Sequence, residues 1–344
     1  MTSWPSLPLA LTLLLSPLAS ALAGPPAERP PAVPLAYSLE EFRNEIRAGG
    51  PGKDGIPSID RPRFQPAAQA SLAPGDRVVG VYHNGVARAY PQRILVWHEI
   101  VNDELGGEPV SITYCPLTGT ALGFKRGGTE LGVSGRLVNS NLIMYDRATD
   151  SEWPQILGVA IDGPLEGHGL EEFRVVWTTW ERWQARHPDS EVLTEQTGFV
   201  RNYQRDPYGS YNPLSGYYRP DSSRLFPVMH RDDRFAPKTE ILGFRTRHGA
   251  AAITPEALAE DGVVELALGD SHYSVVHDPE LATGWVFHNP DRLAIDERSL
   301  SFGPDGVSGA GIDSLEAVNA FEAMWFAWAA FYPDTVLYES GEAP

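Results

Sequence analysis

WERWQARHPDSEVL (Trp180–Leu193) and WFAWAAFYPDTVL (Trp325–Leu337) share the frame W-x-x-W-x-x-x-x-P-D-S/T. Working outward, GVYHNGVARAYPQRIL (Gly80–Leu95) resembles GFRTRHGAAAITPEAL (Gly243–Leu258). VSITYCPLTGTALGF (Val110–Phe124) aligns with YSVVHDPELATGWVF (Tyr273–Phe287), which sets Cys115-Pro116 on Asp278-Pro279. Three matches in one order predict an internal duplication. Cys115 lies 73 residues before Pro188 and Asp278 only 55 before Pro333, so one copy gained or lost a segment. Duplicated copies share scaffold and diverge in chemistry. The residues present in one copy only, Cys115 above all, are therefore the ones to examine.

The local signals are mostly β. VVGVYH and VARAY flank Asn84-Gly85, a strong two-residue hairpin signal. Pro109–Tyr114 and Thr120–Lys125 bracket a tight loop at Cys115–Gly119. Ser134–Arg147 reads as turn, strand and turn, and Trp153–Ile161 as a further strand entry. Leu39–Arg47 reads as a short helix capped by Ser38, with Gly49-Gly50 after its end. Thr178–Arg186 and Asn319–Tyr332 read as helices closing the two copies, the latter with Phe321, Trp325, Trp328 and Phe331 near one face. Both copies keep these tryptophans, which suits core anchors docking a helix on a sheet.

The fold class expected is β-rich α+β, as two internally duplicated modules packed together. Residues 1–23 read as a signal peptide: an apolar run at Leu7–Leu22 ends in Ala21-Leu22-Ala23, although the segment before it lacks Lys and Arg. Residues 24–50 read as a Pro-rich spacer, extended and outside the fold at Pro25–Pro34, together with the short helix. The first module is expected at 51–195, a Tyr/Arg-rich connecting segment at 196–240, and a second, degenerate module at 241–340. The leader is too short and too interrupted for a membrane span, so no integral membrane segment is expected in the mature chain. The protein is expected to be exported, periplasmic or extracellular.

Net charge is −18, with Lys53, Lys125 and Lys238 the only lysines. Such a balance argues against nucleic acid and against anionic membranes as partners. One cysteine excludes an internal disulfide, a cysteine-ligated cluster and an intrachain thiol pair. A buried structural thiol is the common fate of a free cysteine. Outside the cytoplasm, however, an idle thiol is exposed to oxidation.

The densest polar constellation runs from Tyr90 to Gln155. AYPQRILVWHEIVND, TYCPLTGTALGF, SGRLVNSNLIMYDRATDSEWPQ and HPDSEVL resemble the bacterial and archaeal family of domain of unknown function 3179, over about residues 55–340. The resemblance implies no particular activity. Many members carry a second cysteine where Thr118 stands here, so a mechanism needing a thiol pair does not carry over.

Three readings stay open. In the leading one, an enzyme, Cys115 is a nucleophile or redox centre and His98 its base. Glu99 or Asp103 then orients the imidazole, amides of Leu117–Thr120 serve an oxyanion, and Arg147 or Arg136 holds a substrate carboxylate. In the second, Cys115, Met144 and one or two imidazoles (His98, His83) bind copper, being soft ligands. His98-Glu99 is not a zinc-protease motif, since Asn102 replaces its second histidine. In the third, Tyr203, Tyr208, Tyr211, Tyr217 and Tyr218 with Arg201, Arg205 and Arg219 line an open groove for a glycan or peptide. Each residue also has a plain structural role available. His98 and Met144 suit a core, Asn139–Asn141 suit a turn, Asp146-Arg147 suits a buried ion pair, and the tyrosine segment suits a packed linker. The first two readings require Cys115 and His98 to meet.

Overall fold

The structure, a computed structural model, describes Met1 and residues 24–29, 33–338 and 340. Apart from Met1, the leader read at residues 1–23 lies outside the described residues. Among the described residues no helix is long and apolar enough to cross a membrane.

The chain is β-rich, with short helices and many small sheets. Each half is organised around one hairpin. Arg77–His83 pairs with Val86–Pro91 through Asn84 (φ 50°) and Gly85 (φ 76°), the two left-handed residues that a right-twisted two-residue hairpin demands. Its sheet has the order Val176–Thr179, Arg77–His83, Val86–Pro91, Glu191–Leu193, Phe64–Pro66, with Glu191–Leu193 parallel to its hairpin neighbour. In the second half the order is Ala320–Met324, Glu240–Thr246, Gly249–Ile253, Val336–Tyr338, and the last pairing is again parallel.

A short helix follows each hairpin, Gln92–His98 in one half and Pro255–Asp261 in the other. Each helix feeds a three-strand meander: Ile100–Leu105, Glu108–Cys115 and Thr120–Lys125, then Val263–Leu268, Ser271–Asp278 and Thr283–His288. Only the first half adds the sheet of Leu131–Val138, Asn141–Asp146 and Glu152–Pro154, with Arg47–Ala48 at its edge.

The helix Trp325–Phe331 is buried along its whole length, and its core cluster includes Cys115. It is apolar all round, so it sits inside the molecule instead of presenting one face to water. The halves share this core and polar contacts. Met324 N donates to Thr118 O (2.8 Å), Asn139 Nδ2 to Ala330 O (3.1 Å), and Arg77 pairs with Glu240.

Some expected boundaries move. Asn319–Tyr332 is helical only from Trp325, because Ala320–Met324 is a sheet strand pairing with Glu240–Phe244. The helix after Ser38 stops at Asn44, where Arg47–Ala48 turns to pair with Arg136 and Leu137. The Pro-rich stretch is not a free spacer. Pro25 is buried and Ala27–Glu28 pairs with Gly169–Leu170, since an extended proline-flanked segment suits an edge strand.

Candidate functional site

Cys115 ends its strand opposite Thr120, and the tight turn between them places Gly119 at φ +64°. Cys115 is 1% exposed, and its Sγ makes a weak contact to Ser140 O at 3.9 Å. Burial, then the nearby Glu99 carboxylate, push its pKa up to about 11. At neutral pH it rests as a thiol.

Glu99 follows the helix Gln92–His98 in the left-handed region, φ 58°. Its N–H closes the helix on Leu95 O (2.7 Å), and its own carbonyl accepts from Tyr114 N (2.7 Å). This ties the cap to the strand that carries Cys115. The carboxyl belongs to a residue 6% exposed and has no hydrogen-bond partner among the described residues. Burial pushes its pKa up to about 8. Tyr208 feels both Glu99 and Cys115, and Tyr217 feels Cys115, so these four side chains form one electrostatic cluster. Tyr217 also donates its hydroxyl to Leu117 O at 2.8 Å.

In the second half Gly262 holds the position of Glu99. It has φ +70°, its N–H bonds Leu258 O, and its carbonyl accepts from His277 N (2.7 Å). Asp278 holds the position of Cys115, pairing with Thr283 as Cys115 pairs with Thr120. Glycine is the residue this backbone geometry favours. A buried glutamate there carries both a backbone cost and a desolvation cost.

A second buried cluster fixes the Cys115 turn. Gln155 Nε2 donates to Thr113 Oγ1 (2.8 Å), and its Oε1 accepts from Thr120 Oγ1 (2.7 Å) and Asn141 Nδ2 (3.0 Å). Thr118 joins through Thr120 (2.8 Å) and Asn141 (3.1 Å). Asn139 (φ 51°) and Ser140 (φ 62°) make the adjoining hairpin turn.

The other expected site residues fall elsewhere. His98 is fully buried and does not bond Cys115; Nδ1 bonds Pro57 O (2.7 Å) and Nε2 bonds Tyr203 OH (2.8 Å). The helix ends between residues 98 and 99, and of the two it is Glu99 whose charge acts on the thiol, without a hydrogen bond to it among the described residues. Asp103 is engaged by Arg88 and Tyr90. Arg147 does not pair with Asp146. Its guanidinium bonds Asp54, Ser58 and Tyr145 OH, while Asp146 accepts from Thr149 and Trp153. Arg136 bonds Glu152 and His83 bonds Glu108.

Met144 is a core residue of the strand Asn141–Asp146. With both His98 nitrogens already engaged, Cys115, His98 and Met144 do not fit a copper site. Among the described residues no group of three or more His, Cys, Asp or Glu side chains is arranged to hold a metal ion.

The tyrosines do not form one open groove, although Tyr211 and Tyr218 line part of a cleft. Tyr203, Tyr217 and Tyr218 are buried, and Tyr211 stacks on Tyr218 (4.0 Å between ring centroids). The segment is a cover folded over the Cys115 turn. The sequence presents Tyr208 and Tyr217 as groove residues and not as neighbours of Cys115, because their approach to it is made only in three dimensions. A left-handed cap at Glu99 was detectable from its alignment with Gly262, which follows from the Gly80–Leu95 match.

A β-rich protein of two similarly ordered halves, with one buried thiol under the charge of a carboxylic acid that has no hydrogen-bond partner among the described residues, is the class that fold and site define. Residues 53–335 match the family described as "Protein of unknown function (DUF3179)", and the chain belongs to it. Comparison with curated proteins and with solved structures found no match.

Proposed function

We propose that the protein is a cysteine-dependent enzyme in which Glu99, in place of the expected His98, exchanges a proton with the Cys115 thiol beneath the tyrosine cover. The observation that carries this reading is the unpartnered, buried carboxyl of Glu99 on a left-handed position that Gly262 holds in the other half. A purely structural cap would use glycine. The ionised carboxylate takes the thiol proton, and the thiolate sulfur forms a bond to an electrophilic carbon. As the bond from that carbon to its leaving group breaks, Glu99 returns the proton to the leaving group. Amides of the Leu117–Thr120 turn are the nearest oxyanion donors, and opening of the Tyr208–Tyr218 cover admits the substrate.

We also infer that the two halves arose by duplication and that the protein is exported. The matching strand orders and the Cys115/Asp278 and Glu99/Gly262 equivalences support the first. The apolar run ending in Ala21-Leu22-Ala23 supports the second.

The test is the rate of Cys115 alkylation by iodoacetamide between pH 6 and 10, for the wild type and Glu99→Gln. If Glu99 acts only as a nearby negative charge, Glu99→Gln lowers the thiol pKa and speeds labelling. If Glu99 is the base, the variant labels more slowly near pH 8, by about tenfold. Faster or unchanged labelling, or a folded wild type that never labels, overturns the proposal.

A further inference from the structure

A cleft of about 350 Å³ opens beside the Cys115 turn, with Gly119 in its wall and Arg77, Trp177, Lys238 and Glu240 around it. Lys238 is 3% exposed. Its ammonium donates to Tyr217 O (2.5 Å), Ser222 Oγ (2.5 Å) and Ser223 O (3.2 Å) and lies 3.1 Å from the centroid of the Tyr217 ring. Every one of these partners is neutral, and no carboxylate pairs with Lys238 among the described residues. A buried cation without a counter-charge is costly.

Arg77 stands across the cleft between Trp177 and Tyr211, 5.2 and 5.5 Å from their ring centroids. Its Nη2 bonds both Glu240 oxygens (3.1 and 2.8 Å), and its Nε and Nη1 have no partner among the described residues. Glu240 balances Arg77, whereas Glu256, the other acid of the cleft, is exposed at its rim and screened by water. Arg77 and Glu240 are partly exposed and pair with each other, which leaves buried Lys238 as the cation of the cleft with no paired carboxylate among the described residues.

We propose that this cleft binds a small organic monoanion, a carboxylate, whose charge Lys238 balances and whose oxygens take the free Arg77 donors. A phosphate dianion would bring two charges against one. Delivery of the carboxylate to the thiol rests on the Cys115–Glu99 reading, but the binding itself does not. Guanidinium and carboxylate match in shape as well as charge, and the adjoining Gly119 leaves the ligand beside the turn that carries Cys115.

Calorimetric titration of the full chain with benzoate, benzamide and inorganic phosphate tests this. Wild type and Cys115→Ser are expected to bind benzoate equally, and benzamide at least about tenfold more weakly, the cost of losing one charge-assisted contact. Lys238→Met is expected to lose at least about tenfold in benzoate affinity. If near-ultraviolet circular dichroism shows that this variant is misfolded, Arg77→Gln carries the same expectation. Equal binding of benzoate and benzamide, phosphate binding as tight as benzoate, or no saturable benzoate binding overturns the proposal. Binding that persists in Cys115→Ser while the alkylation test fails would remove the catalytic reading and leave the cleft.

Discussion

Gly80 lies flat against the ring of Trp183, so close that a Cβ on it would sit 2.1 Å from Cε3. Gly243 stands in the same relation to Trp328, at 2.4 Å from Cζ3. Each indole then donates seven residues onward, Trp183 to Ser190 Oγ (3.2 Å) and Trp328 to Thr335 Oγ1 (2.8 Å). The repeated W-x-x-W-x-x-x-x-P-D-S/T frame is the sequence trace of this packing. It docks a helix on a hairpin and ties the indole to the turn beyond.

Gly80→Ala and Gly243→Ala should each destabilise the protein by about 3 kcal/mol, since a buried ring cannot yield to the added methyl. Gly52→Ala, where nothing lies within 4 Å of the new carbon, should change stability by less than about 0.5 kcal/mol. Urea midpoints of the three variants check this. Equal effects at positions 52 and 80 would contradict the packing argument.

Glu99 should make the protein less stable as pH rises. Its folded pKa of about 8 lies above the unfolded value of 4.5. Below pH 4.5 both states hold the proton and no penalty applies. Between 4.5 and 8 the unfolded chain gives up the proton while the folded chain keeps it, so stability falls. The loss is roughly 3 kcal/mol by pH 7 and levels off above pH 8. Glu99→Gln should flatten the stability curve over that window, and Glu99→Gly should also relieve the backbone by about 1 kcal/mol. Chemical denaturation at half-unit pH steps measures both effects; a wild-type slope that survives Glu99→Gln would assign the titration to another group.

Gln155→Ala should cost roughly 3 kcal/mol, because it leaves Thr113, Thr120 and Asn141 each one hydrogen bond short in a dry interior. The Cys115 turn depends on that network, so the variant should also label faster at Cys115. A stability loss without a change in labelling would separate the network from the thiol's protection.

What the sequence showed depended on how local the signal was. Asn84-Gly85, the Ser38 cap and the strand-end position of Cys115 are written in neighbouring residues, and all were legible. Ala320–Met324 was misread because Phe321 and Trp325 keep helical spacing while Ala320-Phe321-Glu322 also alternates, and only the partner strand Glu240–Thr246 decides between them. His98 was chosen over Glu99 because imidazole is the commoner thiol base. Direction was the missing information: the helix end turns His98 onto Tyr203 and Pro57, which leaves Glu99 as the neighbour whose charge acts on the thiol. The tyrosine cover was unreadable for a different reason, since Tyr208 and Tyr217 lie about ninety residues or more from Cys115 in the chain.

The last prediction concerns the acid that replaces the thiol. Asp278 is wholly buried and, unlike Glu99, fully partnered: Arg186 Nη2 bonds both oxygens (3.0 and 3.3 Å), Trp285 Nε1 bonds one (3.1 Å), and the amides of Glu280 and Leu281 bond the other. Arg186→Met removes the counter-charge and should cost about 3–5 kcal/mol at neutral pH. Adding Asp278→Asn should recover part of that loss, because the stranded charge goes with it. Glu99, with no counter-charge to lose, should show no such coupling to any arginine in its own half. Thermal melts of the two single variants and the double variant decide the point. Additive losses would mean that Arg186 acts by packing alone, and the contrast between a paired acid in one half and an unpaired acid in the other would lose its energetic basis.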